Sequence, residues 1–472
     1  MGGLSKKAFQ LNAIATKDEA RSHLTLDAGD LLFKGGAVTL PGQETLGTLR
    51  AAAIVEAYDV MGYDAVAVGG KDLAAGIPFL QSLRKKSKFV WVSANLVTRS
   101  TKKLIVRPGV TLKAGDVKVG VIGLTGPAIL PATEDAMILP WDQVLPELLV
   151  KVSKKHDLVV ILSNLPVADN QRIAERYKTV HLIIQSGVSA NSITPEPINN
   201  TVVVSVGSQG KQLGVMEIDW QPSKWWDNQK GEALIRKKEA LEQVRFHLLQ
   251  FRQEKDPEIA LRNRPDQLNT YHLLQGRERE FVSDIDKLTI EIKKDVATNG
   301  QPATYRNRFV PMEVSLPDQP EVLEIVTRLK EAVNSLGQQQ SKMEPSAPVS
   351  QLYLGSTGCG QCHSAQRAAW LKTPHAMAFK TLEKARQQFN PECLPCHVTG
   401  MSMAQGKEAL SLPEYLRGVG CESCHGAGRG HAVAPKGNAM VSTPSPSVCL
   451  HCHIPPHDPD FDYAKQIKKV GH

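Results

Sequence analysis

Residues 359–363 read CGQCH, residues 393–397 CLPCH, residues 421–425 CESCH and residues 449–453 CLHCH. These four motifs use all eight cysteines of the 472-residue chain, and none occurs before Cys359. C-x-x-C-H is the attachment signature of a c-type haem: two thiols form thioethers with the vinyl groups, and the adjacent histidine reaches the iron. Zinc ribbons also use paired C-x-x-C, and an oxidising compartment can close such pairs into disulfides, but neither needs histidine after every pair. The motifs therefore imply four covalently attached haem c groups, on Cys359 and Cys362, Cys393 and Cys396, Cys421 and Cys424, and Cys449 and Cys452, with His363, His397, His425 and His453 as proximal ligands. Four porphyrins in about 120 residues must supply much of the buried apolar surface. The expected fold is a mainly α, haem-packed domain that is largely unfolded without its cofactors.

Nine of the 14 histidines lie in this last quarter, so His375, His431, His451, His457 and His472 remain as potential distal ligands. An isolated histidine is more often a surface or packed residue than a ligand; proximity to four irons shifts that balance.

The segment resembles the tetrahaem cytochrome c family that accepts electrons from hydroxylamine oxidoreductase, over about its last 120 residues. The resemblance runs through CGQCHSAQRAAWLKTPHAMAFKTL (359–382), ECLPCHVTG (392–400), GVGCESCHGAGRGH (418–431), CLHCH (449–453) and FDYAKQIKKVGH (461–472). It implies axial pairs His363 with His431, His425 with His472, and His453 with His375. It also implies that the haem of His397 has no strong sixth ligand, which makes His397 the candidate catalytic position. This chain is shorter than the family between the third and fourth motifs and after the fourth, and His457 in IPPHDP is the histidine that would close the open site. Two imidazoles make a low-spin iron suited to electron transfer, whereas an open iron can bind a small ligand.

Before the haem motifs, residues 1 to about 220 alternate apolar, β-rich runs with helical stretches: HLTLDAGDLL, a helix from about Gln43 to Met61, YDAVAVGG, FVWVSANL, VKVGVIGL, DLVVILSNL, HLIIQSG and TVVVSVGS. Strand, helix, strand is the α/β pattern. LDAGD, GYDAVAVGGKD, SANL, VGVIGL and SVGSQGKQLGVMEID resemble the 5′-nucleotidase branch of the metallophosphoesterases. That chemistry needs two metal ions held by carboxylates, Asn and His. The resemblance implies that most of those ligands are replaced: Asp30 is kept, but Gly70 and Lys71 stand for Asn and His, Asn164 for a histidine, and Gly187 and Ser189 for the final histidines. The family's opening Asp-x-His strand has no counterpart. A lone Asp30 cannot hold a dinuclear centre, so Asp30 and Lys71 read as a turn carboxylate and a solvated lysine, and phosphatase activity is expected to be absent.

Residues 221–350 read as a helical connector. Leu234, Leu241 and Leu248 recur every seven residues with Val244 and Phe251, and Leu274, Phe281 and Leu288 repeat the pattern with Ile285 and Ile292. Pro257 and Pro265 separate the two helices, so a coiled-coil-like antiparallel hairpin is expected, with homo-oligomerisation through the same seam as the alternative. A helix from about Gln319 to Leu336 should lead into the polar linker QQQSKMEPSAPVSQ.

The net charge of +8 is spread, since residues 351–472 carry twelve basic and eight acidic side chains, and gives no basic patch for nucleic acid. No apolar run approaches the roughly 18 residues of a membrane span. Covalent haem attachment implies a periplasmic or extracellular protein, and because no signal peptide is visible the exported N-terminus is expected to be missing from the chain. The expectation is a three-part chain: a metallophosphoesterase-like domain (1–220), a connector (221–350) and a tetrahaem cytochrome c domain (351–472). It would pass electrons between a redox donor and acceptor. Its rivals are an oxidoreductase acting on a small nitrogen or oxygen species at the His397 haem, and an oligomeric scaffold that lines up haems.

Overall fold

The computed structural model describes residues 3–17, 21–35, 43–130, 134–187, 192–221, 223–226, 230–249, 251, 257–343, 349–400, 412–454, 458 and 460–470. The alternation expected over the first 220 residues is present. A small parallel sheet orders Leu26–Asp27, Ala65–Ala67 and Val90–Val92. A six-stranded mixed sheet runs, in spatial order, Ile193–Ile198, Thr201–Ser205, Leu182–Gln185, Leu158–Ser163, Val117–Leu124 and Gly109–Ala114.

The strand Leu158–Ser163 shows how the layers stack. Every residue in it is buried, because successive side chains point to opposite faces and both faces are covered. Leu158, Val160 and Leu162 share a core with Ala28, Ala65, Ala67 and Val92 of the small sheet. Val159 and Ile161 pack instead against Trp141, Leu145 and Leu149 of helix Trp141–Ser153 and Ile173 of helix Val167–Arg176. The other face of the small sheet, through Val66 and Trp91, meets helices Gln43–Val60 and Gly76–Lys86. The result is helix, sheet, sheet, helix, with loops after several parallel strands gathered at one end.

The following segment departs from a purely helical connector. Helices Lys230–Leu249 and Pro265–Asn299 do form an antiparallel pair: Lys230 meets Asp295 at 2.7 Å and Glu291 at 3.3 Å, Lys237 meets Asp284, and Arg245 meets Glu278 at 3.2 Å. The heptad-spaced residues are used inside the hairpin, where Val244 and Leu248 bury against Leu261 and Tyr271 with Phe251, Leu274 and Phe281 alongside. The hairpin, however, sits between two strands, Gln212–Asp219 and Thr304–Pro311, which pair antiparallel along their full length. YRNRF alternates half-buried and exposed side chains, but its partner lies about 90 residues earlier, a pairing that local pattern does not reveal. The base of the hairpin is held by an aromatic cluster in which Trp226 donates Nε1–H to the His181 carbonyl at 2.8 Å and lies edge-on to Trp220 and Tyr305.

The next helix, Pro320–Met343, runs seven residues past the expected stop at Leu336. Gln, Lys and Met are adequate helix formers, so a polar run does not by itself end a helix. This helix returns to the N-terminal unit: Val322 and Ile325 enter the core under helix Gln43–Val60, and the Gln319 amide donates to the Ser5 carbonyl at 3.0 Å in helix Gly3–Lys17, which sequence pattern did not disclose. The described residues between 351 and 470 form short helices and turns around a small apolar cluster, in which Tyr353, Phe379, Leu382, Leu394, Val398, Leu412 and Leu416 are buried. No helix among the described residues is long and apolar enough to cross a membrane.

Candidate functional site

Each C-x-x-C-H motif begins as a helical turn. The amides of Cys362 and His363 donate to the Cys359 carbonyl at 3.3 and 3.0 Å, and those of Cys452 and His453 donate to the Cys449 carbonyl at 3.1 and 3.0 Å. The Cys396 amide donates to the Cys393 carbonyl at 3.3 Å, and Cys421–His425 is itself a helical turn. A three-residue step in such a turn puts both sulfurs on one side, with the following histidine beside them. No two of the eight cysteines are joined in a disulfide. The Cys359 and Cys421 thiols perturb one another, as do those of Cys396 and Cys452, so the first motif lies beside the third and the second beside the fourth.

The imidazoles are held by their Nδ1 atoms. His397 Nδ1 lies 2.7 Å from the Ala378 carbonyl, His425 Nδ1 2.6 Å from the Val441 carbonyl and His431 Nδ1 2.9 Å from the Asn438 carbonyl. A carbonyl only accepts, so each Nδ1 carries the proton and Nε2 is left as the metal-binding nitrogen. His453 Nδ1 is 2.7 Å from the Asp458 carboxylate, which makes its ring a stronger donor to a metal.

Two imidazole pairs face one another. The rings of His363 and His431 have centroids 6.3 Å apart at an interplanar angle of 26°, and those of His375 and His453 are 6.1 Å apart at 70°. A metal with a nitrogen about 2 Å away on each side sets two ring centroids roughly 6 Å apart, so both centroid spacings match that of two imidazoles on one iron. Burial, then the neighbouring His453, lowers the His375 pKa and keeps the ring neutral, the form that ligates. His451 turns Nδ1 to the Ser447 carbonyl at 2.9 Å and is exposed. His457 and His472 lie outside the described residues.

One bracing residue was not legible beforehand. Glu422, inside CESCH, is 3% exposed. Its carboxylate accepts from the amides of Leu354 at 2.8 Å, Gly355 at 2.7 Å and Gly428 at 2.6 Å, tying together the lead-in to the first motif, the third motif and the turn before His431.

The second region of interest is the cleft at the loop end of the N-terminal sheets, a cavity of about 380 Å³ lined in part by Asp30, Lys71, Asn164, Ser186 and Gly187. The structure brings four of the substituted positions to one place; Ser189 lies outside the described residues. Asp30, at φ 60°, accepts from the Lys71 amide at 2.9 Å and meets the Lys71 ammonium at 3.5 Å. Asn164 Oδ1 accepts from the Gly70 amide at 2.8 Å, and Ser186 donates its hydroxyl to the Ala28 carbonyl at 2.9 Å. Behind the cleft, Asp72 accepts from the amides of Asp30, Leu31, Leu32 and Gly69; burial pushes its carboxyl up to about 7 while those donors pull it down. One carboxylate neutralised by an ammonium, beside an amide oxygen already engaged by backbone, does not fit a dinuclear metal centre.

Comparison with known proteins separates the two ends of the chain. Residues 358–426 match the family described as cytochrome c554 and c-prime. Cytochrome c-554 of Nitrosomonas europaea is 37% identical over 92 residues, covering 16% of this chain and 39% of that protein. Protein UshA of Escherichia coli is 29% identical over 108 residues, 23% of this chain and 20% of that protein. Among solved structures, the sulfate thiohydrolase SoxB of Thermus thermophilus aligns with a TM-score of 0.47 at 15% identity, covering 70% of this chain and 46% of its own. A 5′-nucleotidase precursor from the same organism aligns with a TM-score of 0.40 at 22% identity, covering 47% of this chain and 46% of its own. The chain thus spans 39% of the length of the cytochrome and 20% of that of UshA. Its C-terminal segment is similar to the cytochrome c554 family, and its N-terminal region is similar to UshA.

Proposed function

We propose that this chain is an exported tetrahaem c-type cytochrome that passes electrons between a redox donor and a redox acceptor, its haem domain (351–472) carried on the phosphoesterase-like domain (1–220) through the connector (221–350). The reading rests on the facing imidazoles of His363 with His431 and His375 with His453, at 6.3 and 6.1 Å, beside C-x-x-C-H turns. Each cysteine pair would hold one haem through two thioethers, and His425 with His472 would form a third axial pair. Haem c so held supplies one-electron chemistry at an iron whose two imidazoles stay in place on oxidation. The chain's own part is to fix each ring: carbonyls of Ala378 and Val441 and the Asp458 carboxylate hold the Nδ1 protons of His397, His425 and His453.

His397 favours a second reading. The family resemblance implies no strong sixth ligand for the haem carried beside it. An open iron there would bind a small nitrogen or oxygen species and make the chain an oxidoreductase, and His457 is the residue that would close it. Intact mass of the denatured protein, made with a functioning haem-maturation system, tests the main reading: four covalent haems support it, and fewer than four refute it.

A further inference from the structure

The stretch that leads into the second haem motif is clamped by the N-terminal unit. Glu392, immediately before Cys393, meets Arg50 of helix Gln43–Val60 at 2.7 Å and Lys34 at 3.2 Å. Arg50 also donates to the Asn390 side-chain oxygen at 3.3 Å. Helix Pro320–Met343, which packs into the same core as helix Gln43–Val60, grips the other side: Arg386 pairs with Glu331 at 2.6 Å, and the Phe389 amide donates to Asn334 Oδ1 at 3.1 Å. Gly337 allows this approach, since a Cβ there would lie 2.3 Å from the Phe389 carbonyl oxygen.

Resting on the tetrahaem reading, we propose that the phosphoesterase-like unit sets the reduction potential of the haem carried on Cys393 and Cys396, with Arg50 as the positioning residue that neutralises Glu392. Reduction of ferric to ferrous iron adds one electron and lowers the local charge by one. A bare carboxylate beside that haem therefore disfavours reduction, and a guanidinium paired to it cancels the effect. Arg50 is suited to this because its side chain is 26% exposed, whereas that of Lys34 is 90% exposed and screened by solvent. The cleft with Asp30 and Lys71 would then be a remnant, and the working surface of the domain would be its helical face against the haem segment.

The test is a spectroelectrochemical titration of the full-length, haem-loaded protein, with haem number checked by intact mass. Arg50→Gln should move one of the four reduction waves to lower potential and leave three in place. Glu392→Gln should move the same wave to higher potential, and the double variant should return it near the wild-type position. Arg50→Lys, which keeps the charge, guards against a variant that fails to fold and should leave all four waves nearly unmoved. Four haems with no wave moved in either single variant, both singles moving in the same direction, or all four waves moving together would overturn the inference while leaving the tetrahaem reading intact. Fewer than four haems in the wild type would overturn the tetrahaem reading itself.

Discussion

Acidification should loosen the N-terminal unit through His181. This ring is 4% exposed, lies edge-on to Trp220 at 4.8 Å, and uses Nδ1 to accept the Val159 amide at 2.9 Å. Burial first, and the Lys224 charge second, lower its pKa from 6.5 to about 4. Above about pH 6.5 the ring is neutral whether the chain is folded or not. Between 6.5 and 4 the unfolded chain takes up a proton that the folded chain refuses, so stability falls, and below 4 the loss levels off. At about 1.4 kcal/mol per pKa unit, the shift amounts to about 3 kcal/mol. The geometry agrees in sign, because a protonated Nδ1 would point a second donor at the Val159 amide. His181→Asn keeps an acceptor near that amide but cannot titrate. Denaturant unfolding followed by circular dichroism at pH 7 and pH 4 should show wild type losing about 3 kcal/mol more than the variant. An equal loss in both proteins would refute the reasoning.

Two further outcomes test the separate parts of the account. Residues 1–220 should bind no dinuclear metal and hydrolyse no nucleotide, given Gly70, Lys71, Asn164, Gly187 and Ser189; two transition ions beyond haem iron, with phosphatase activity lost in Asp30→Ala, would contradict this. Glu422→Gln should leave at least one buried amide among Leu354, Gly355 and Gly428 without an acceptor, a loss of about 1–3 kcal/mol. It should lower the melting temperature of the haem-loaded protein, and an unchanged melt would show that the brace is not needed once haem is bound.

What was legible in the chain tracks how local the cause is. C-x-x-C-H is a one-turn device, so Cys359 through His363 announces its chemistry without knowledge of anything else. The strands of the first 220 residues were legible because LVVILS and VGVIGL are buried runs whose composition follows from lying between two layers. The ring neighbours of the motif histidines were not: His375, whose ring lies 6.1 Å from that of His453, stands 78 residues before it, and only the resemblance of TPHAM to a known family pointed to it. The strand Thr304–Pro311, the clamp of Arg50 on Glu392 and the brace at Glu422 were invisible for the same reason. Each depends on residues far apart in the chain whose own neighbourhoods look like an exposed strand, a surface charge and a motif filler.

The measurement that bears most directly on the central claim is the low-temperature electron paramagnetic resonance spectrum of the fully oxidised, haem-loaded protein. Three haems should give low-spin, bis-histidine signals, with His431, His472 and His375 as distal ligands, and the haem of His397 should give a high-spin signal. A wholly low-spin spectrum that gains one high-spin haem in His457→Ala would contradict the open site and leave pure electron transfer, and a spectrum dominated by high-spin iron would contradict the histidine pairs on which the electron-transfer reading rests.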